Sequence, residues 1–173
     1  GNSDVGKSLA KDFGKLGSNL ILTSRKEGQL DSFKSDLEIR NEINCDVQLF
    51  DVLDFKSHDL FYKNLKTKPD IVATCIGYLD KQEDSQINFQ ESLVSIQTNF
   101  TGLVSILNII SNDFEKREKG VIVGISSVAG DRGRGSNYIY GSSKSGFTSY
   151  LSGLRNRLNK SGVKVVTIKP WFI

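Results

Sequence analysis

The sequence predicts an α/β fold, a doubly wound parallel sheet with helices on both faces, and three observations support this. Short runs rich in β-branched residues alternate with longer amphipathic runs along all 173 residues, the pattern of strands that pair in parallel through helical crossovers. The two longest amphipathic runs keep the apolar period of helices packed on a sheet. No repeat, linker or low-complexity tract separates the runs, so residues 1–173 read as one domain.

Taken in order, the chain opens on Gly1-Asn2-Ser3-Asp4-Val5-Gly6-Lys7, a glycine turn entering a helix over 5–16. A strand over 19–24 ends in Thr23-Ser24-Arg25, and a helix over 26–37 leads to a strand over 47–51. A charged helix over 56–65 precedes a strand over 70–76, followed by a helix over 85–114 and a strand over 120–126. A helix over 138–159 and a strand over 163–169 complete the series. In the first long helix Phe89, Leu93, Ile96, Phe100, Leu103, Leu107 and Ile110 step by four and three, one apolar stripe facing the sheet. In the second, Phe147, Leu151, Leu154 and Leu158 do the same, and running that stripe backwards reaches Lys144 and then Tyr140. A lysine on an inward face is costly unless it is paired or its pKa is shifted. Either Lys144 has a chemical role, or this first turn emerges at an edge where the ammonium reaches water. His58 and the mixed charges over 56–68 read as the solvated exterior of their helix. Both ends look cut: no strand precedes the glycine turn, and the chain stops at Trp171-Phe172-Ile173 just after a strand. A first strand and a C-terminal part are therefore expected outside this sequence.

With 38% hydrophobic and 25% charged residues the chain has the composition of a globular domain able to bury a core. A net charge of +3, small and dispersed, argues against a nucleic-acid partner. Cys45 and Cys75 fit no metal-ligand spacing and sit among apolar residues, which points to reduced structural thiols, no metal, and a reducing compartment, the cytoplasm. No uninterrupted apolar stretch approaches the ~18 residues of a membrane span, and no basic-then-apolar leader opens the sequence.

Small residues at a helix start let the backbone approach a pyrophosphate, which free N–H groups and the helix dipole bind. Gly1, Ser3, Asp4, Val5 and Gly6 are thus candidate cofactor contacts, although a plain helix entry gives the same pattern. Ser24 and Arg25 stand at the end of the next strand, where dinucleotide folds discriminate the adenosine ribose. Hydroxyls and an arginine suit a 2′-phosphate, so NADP is expected and NAD disfavoured; the alternative is a solvated arginine at a strand end.

Ser126-Ser127 is followed, thirteen residues on from Ser127, by Tyr140-Gly141-Ser142-Ser143-Lys144. This pattern resembles the short-chain dehydrogenases/reductases, in whose single-domain branch a serine closes the fifth strand and a Tyr-x-x-x-Lys opens the following helix at this separation. The resemblance covers essentially the whole chain. Asp51-Val52, Gly77, Asn99 within Thr98-Asn99-Phe100-Thr101-Gly102, and Pro170 match further landmarks in order. It implies a Rossmann-type fold and hydride transfer between a nicotinamide cofactor and a small carbonyl or alcohol. It also implies a catalytic set of Asn99, Ser127, Tyr140 and Lys144, and a cofactor lining that includes Asp51, Val52, Gly77, Tyr140, Lys144, Pro170 and Ile173. Residues four apart on a helix share a face, so the charge of Lys144 is expected to lower a phenol pKa ordinarily near ~10, letting Tyr140 serve as acid or base. By the same resemblance Ser127 hydrogen-bonds the substrate oxygen, Lys144 holds the nicotinamide ribose, and Asn99 supports a proton-relaying water. The bland counterparts are Ser127 as a strand cap, Asn99 as a helix kink, and Tyr140 with Lys144 as an edge pair.

Departures from the family pattern are also visible. Asp4 stands at the second glycine of the usual first turn, Thr74-Cys75-Ile76-Gly77 replaces Asn-Asn-Ala-Gly, and Trp171 follows Pro170 where glycine is preferred. The segment 128–140 looks most like the bacterial reductases that act on decaprenylphosphoryl-2-keto-ribose. Within it Arg132 and Arg134 lie in a glycine-rich stretch free enough to turn both guanidinium groups toward one substrate phosphate, or else they pair with Asp131 or a neighbouring subunit. Val94, Ile106, Ile109 and Tyr150 lie off the sheet-facing stripes, and the resemblance implies pairing of the two long helices in a homodimer or homotetramer. Two other functions stay open: a non-catalytic NADP-binding sensor, for which an acid–base dyad would be superfluous, and a sugar-nucleotide epimerase or dehydratase of the extended branch, which the thirteen-residue separation disfavours.

Overall fold

The computed structural model describes residues 3–171, and the chain divides into two compact units, residues 1–51 and 52–173. In the first unit, helix α1 (Asp4–Lys15) leads to strand β1 (Leu20–Ser24), helix α2 (Asp31–Asn41) and strand β2 (Cys45–Leu49). β1 and β2 pair in parallel with Leu20 opposite Cys45. Ala10, Leu22, Leu30, Leu37 and Cys45 form the core of this unit. Helix α2 starts five residues later than the sequence predicts, because residues 25–30 form a turn. Gly28 takes a φ of +71° there, a conformation side chains resist, and Ser24 Oγ hydrogen-bonds Gln29 Oε1 at 2.8 Å.

The second unit carries helix α3 (His58–Asn64), strand β3 (Ile71–Thr74) and the short helix α4 (Gln82–Ser85). The predicted helix over 85–114 is interrupted: α5 (Phe89–Ile96) passes through a π turn at Gln97–Thr101 into α6 (Gly102–Arg117). Strand β4 (Val121–Ile125), helix α7 (Tyr138–Leu158) and strand β5 (Lys164–Ile168) follow, and the parallel sheet has the order β3-β4-β5. Helix α7 can lie close on the central strand because Gly124 has no side chain: a Cβ there would sit 2.2 Å from Leu151. Phe147, Leu151, Leu154 and Leu158 are buried as their spacing predicts.

The first long helix departs from its predicted stripe. Phe89 is 74% exposed, and the buried face of α5 runs instead through Ser92 and Ser95 to Asn99, one residue N-terminal of the apolar positions. Hydrogen bonds satisfy these polar groups, so apolar periodicity has no view of them. From Leu103 to Phe114 the buried face is apolar again except at Ser111, and Ile106, expected on an outer face, is buried within it. The run Phe89–Arg117 is long and apolar enough to cross a membrane by length and composition, but its contacts with α3 and α7 make it a core helix. His58, expected at the surface, is fully buried: its Nδ1 lies 2.9 Å from Ser105 Oγ and its ring packs edge-on against Phe55. Neither cysteine is in a disulfide among the described residues, and burial pushes the thiol of Cys45 up to about 11.

Candidate active site

The end of β4 and the start of α7 meet at the candidate catalytic residues. Beyond Ile125, Ser126 continues the sheet by donating its N–H to Ile168 O at 2.7 Å. Its hydroxyl donates to Lys144 O at 3.0 Å and lies 2.7 Å from Thr148 Oγ1, so this serine clamps the strand end to α7. Ser127 follows, its Oγ accepting from Ala129 N–H at 3.1 Å as the chain enters a single 3-10 turn. That turn rests on the helix at two glycines: a Cβ at Gly141 would lie 2.6 Å from Ala129 O, and one at Gly130 would lie 2.6 Å from Ser145 N. Backbone contact of this closeness fixes Ser127 relative to Tyr140.

Lys144 is 2% exposed, which overturns the reading in which its turn emerges at an edge. Its ammonium donates to Ile125 O at 3.2 Å and lies 5.7 Å from the centre of the Tyr140 ring and 5.9 Å from that of Phe147. Aromatic faces and one carbonyl replace its water. Burial lowers its pKa from 10.5 to about 8, because desolvation penalises the charged form.

Tyr140 differs from expectation. Its pKa is raised, not lowered, because burial outweighs a hydrogen bond with Ser127 that acts in the opposite direction. Lys144 Nζ lies 5.7 Å from the centre of the Tyr140 ring. The phenol of the protein alone is therefore protonated at neutral pH.

Asn99 sits fully buried in the π turn. Its Nδ2 donates to Tyr78 O at 2.6 Å and to Ser95 O at 2.9 Å, and its Oδ1 accepts from Tyr78 N–H at 3.1 Å. Gly77 lies between Asn99 and Lys144: a Cβ there would be 3.5 Å from Asn99 Oδ1 and 3.7 Å from Lys144 Nζ. The structure thus brings together Asn99, Ser127, Tyr140, Lys144 and Gly77. Pro170 is tied beside Ser127 through Val128 N–H, which donates to its carbonyl at 3.2 Å. Val52 is buried with its carbonyl against Gly102, where a Cβ would lie 2.4 Å away.

The remaining cofactor candidates lie in the first unit. Ser3 caps α1, accepting from Gly6 N–H at 3.1 Å, and Asp4 and Val5 occupy the first turn. Arg25 is exposed at the end of β1 and makes no ion pair among the described residues. Ser24 is different: its buried hydroxyl is taken by Gln29, Lys26 O at 3.0 Å and Lys26 N–H at 3.2 Å. Asp51 follows β2 and is half-buried. Gly1 and Ile173 lie outside the described residues. No cluster of three or more His, Cys, Asp or Glu is placed to hold a metal among the described residues.

In the loop 131–136, Asp131 pairs with Lys169 at 2.7 Å and not with either arginine. Arg132 is exposed with no ion pair among the described residues, while the guanidinium of Arg134 lies 5.8 Å from the Trp171 ring centre. Sequence reasoning missed the polar groups that support the site, namely Tyr78, Asp80, Ser95 and Gln82. Only the helix cap signals around residues 81–88 could have marked that segment.

The short chain dehydrogenase family profile matches residues 1–173. An uncharacterised oxidoreductase of Mycobacterium tuberculosis is 28% identical over 176 residues, covering 100% of this chain and 70% of that protein. The NADP-dependent 3-hydroxy acid dehydrogenase of Schizosaccharomyces pombe is 24% identical over 177 residues, covering 99% of this chain and 68% of that protein. Among solved structures, a short-chain dehydrogenase from Sphingobium yanoikuyae in complex with NADPH superposes with a TM-score of 0.85 at 22% identity, over 94% of this chain and 65% of that one.

Proposed function

The chain belongs to the short-chain dehydrogenase family of NAD(P)-dependent oxidoreductases, and on that premise we propose that the complete protein is an NADPH-dependent ketone reductase in which Tyr140 is the proton donor. The observation that carries this reading is geometric: the turn after Ser127 packs backbone to backbone on the start of α7, with Lys144 buried 5.7 Å from the Tyr140 ring centre. Burial also keeps the Tyr140 phenol protonated, as a donor to a carbonyl oxygen must be. Residues 1–173 act in it as one nucleotide-binding domain, in keeping with the match over that whole length.

NADPH, when bound, supplies the hydride. Arg25 is free to meet its 2′-phosphate, and the missing side chain of Gly77 leaves room beside Lys144 for the nicotinamide ribose. Ser127 turns its hydroxyl from Tyr140 toward the substrate oxygen and stabilises the charge that builds there. Tyr140 gives its proton to the same oxygen. The phenolate left behind recovers its proton from solvent, while Ile125 O holds Lys144 at the site. The side chain of Asn99 is engaged with Tyr78 and Ser95, so any water Asn99 supports would be held by its main chain.

A keto-sugar joined to a phosphate carrier is the substrate class favoured by the loop 131–136. Asp131 is satisfied by Lys169, which leaves Arg132 open to an anion. A homo-oligomer would cover the exposed Ile87 and Phe89 together with half-buried Val94, Ile109 and Tyr150. Cys45 and Cys75, outside any disulfide among the described residues, fit a reducing cytoplasm. The test is isotopic: the complete protein, given NADPH deuterated at the transferring position and a ketone, should yield an alcohol carrying deuterium on the carbinol carbon. An unlabelled alcohol, or none with any ketone tried, overturns the reading.

A further inference from the structure

Between β3 and α4, residues 75–81 form no regular element; Tyr78 and Asp80 lie in this strap and Gln82 opens α4 just after it. Each is tied to a different part of the site. Asn99 grips the main chain of Tyr78 from both its N–H and its carbonyl. Asp80 accepts from Ser95 Oγ at 2.8 Å and from Ser85 Oγ, which anchors the strap on α5. Gln82 is only 7% exposed, and its Oε1 accepts from Ile139 N–H at 3.2 Å.

Ile139 is the second residue of α7, and its N–H is one of the four that a helix leaves without an internal partner. The residue before a helix ordinarily supplies that partner. Asn137 occupies this position and makes no capping bond, its Oδ1 being buried without a partner. The first bond that α7 closes internally is Gly141 N–H to Asn137 O at 2.8 Å, so Tyr140 lies ahead of it in an open turn. What holds that turn comes from another element. The amide nitrogen of Gln82 is itself buried without a partner, a cost retained where position matters more than stability.

We propose that Gln82 is a positioning residue that caps the catalytic helix from outside and fixes Tyr140 in register with Ser127, while the same strap, through Tyr78 and Asp80, fixes Asn99. The proposal rests on Tyr140 as proton donor. Gln82 touches none of the reacting atoms and acts only through Ile139. The strap makes the two halves of the catalytic set one unit, so loss of the cap should be felt in turnover and not in cofactor affinity.

The test uses the complete protein, with amide hydrogen exchange at Ile139 read beside steady-state kinetics. The wild-type Ile139 amide should exchange at least about tenfold more slowly than an uncapped first-turn amide. Gln82→Leu should lose that protection and about tenfold in kcat, with KM for NADPH within about twofold of wild type. Gln82→Glu keeps the acceptor and should keep the protection and most of kcat. An unprotected Ile139 in the wild type overturns the proposal. So do equal losses in the two variants, and so does a loss confined to KM for the ketone, which would make Gln82 a substrate contact. If Gln82→Leu does not fold, the wild-type exchange and the Gln82→Glu kinetics decide by the same criteria. A wild type that transfers no hydride defeats the reductase reading, whereas the exchange pattern reports the cap independently.

Discussion

Replacing Lys144 by methionine should change how the stability of the protein responds to pH, by an amount set by the burial of this one side chain. In the unfolded chain the ammonium keeps its ordinary pKa of 10.5, whereas in the fold burial lowers it to about 8. Between those values the unfolded state binds a proton that the folded state has released, so stability rises with pH across the window. Below about 8 the full penalty of the buried charge is present. At about 1.4 kcal/mol per pH unit, the wild type should gain roughly 2–3 kcal/mol between about pH 7 and about pH 10 from Lys144 alone. Lys144→Met removes that gain while leaving Ile125 O without its 3.2 Å donor at every pH. Urea denaturation of the complete protein without cofactor, wild type against variant, measures the difference, because other titrating groups cancel. The variant should lose ground to the wild type by that amount as pH rises. A difference that stays constant over the window, or moves the other way, refutes the burial argument.

Three further outcomes follow from named contacts. Gly141→Ala would bring a Cβ within 2.6 Å of Ala129 O, and should cost about 2–3 kcal/mol and lower kcat; an unchanged thermal midpoint contradicts the close approach. The complete protein should prefer NADPH over NADH by at least about tenfold, and Arg25→Asp should reverse the preference; equal use of both cofactors by the wild type would sink the assignment. Replacing Arg132 and Arg134 together by alanine should raise KM for a phosphorylated keto-sugar and leave a small neutral ketone nearly unaffected. Equal effects on both substrates would make the arginines structural, consistent with the contact of Arg134 on Trp171.

The fold was legible wherever burial is apolar. Leu151, Leu154 and Leu158 announce α7 through their period alone, and the same period places Lys144 on the inward face, where it is found 2% exposed. It failed where polar groups are buried in pairs. Ser92, Ser95 and Asn99 line the inner face of α5 because Asp80 and Tyr78 satisfy them, and His58 is inside because Ser105 meets it. Such partners come from distant parts of the chain and leave no local spacing to read. The dyad was visible in sequence, but its electrostatics were not. The four-residue spacing puts Lys144 near the Tyr140 ring, but it does not reveal the burial that raises the phenol pKa and lowers that of the ammonium.

The proposed reduction depends on a proton from Tyr140. Single-turnover reduction of a ketone by the complete protein, with NADPH prebound, isolates that step from binding and release. Tyr140→Phe keeps the ring against Lys144 and removes only the hydroxyl, so the reduction rate should fall by at least about a hundredfold while NADPH affinity stays within about twofold. A phenylalanine variant that still reduces the ketone at more than a few per cent of the wild-type rate would contradict the account.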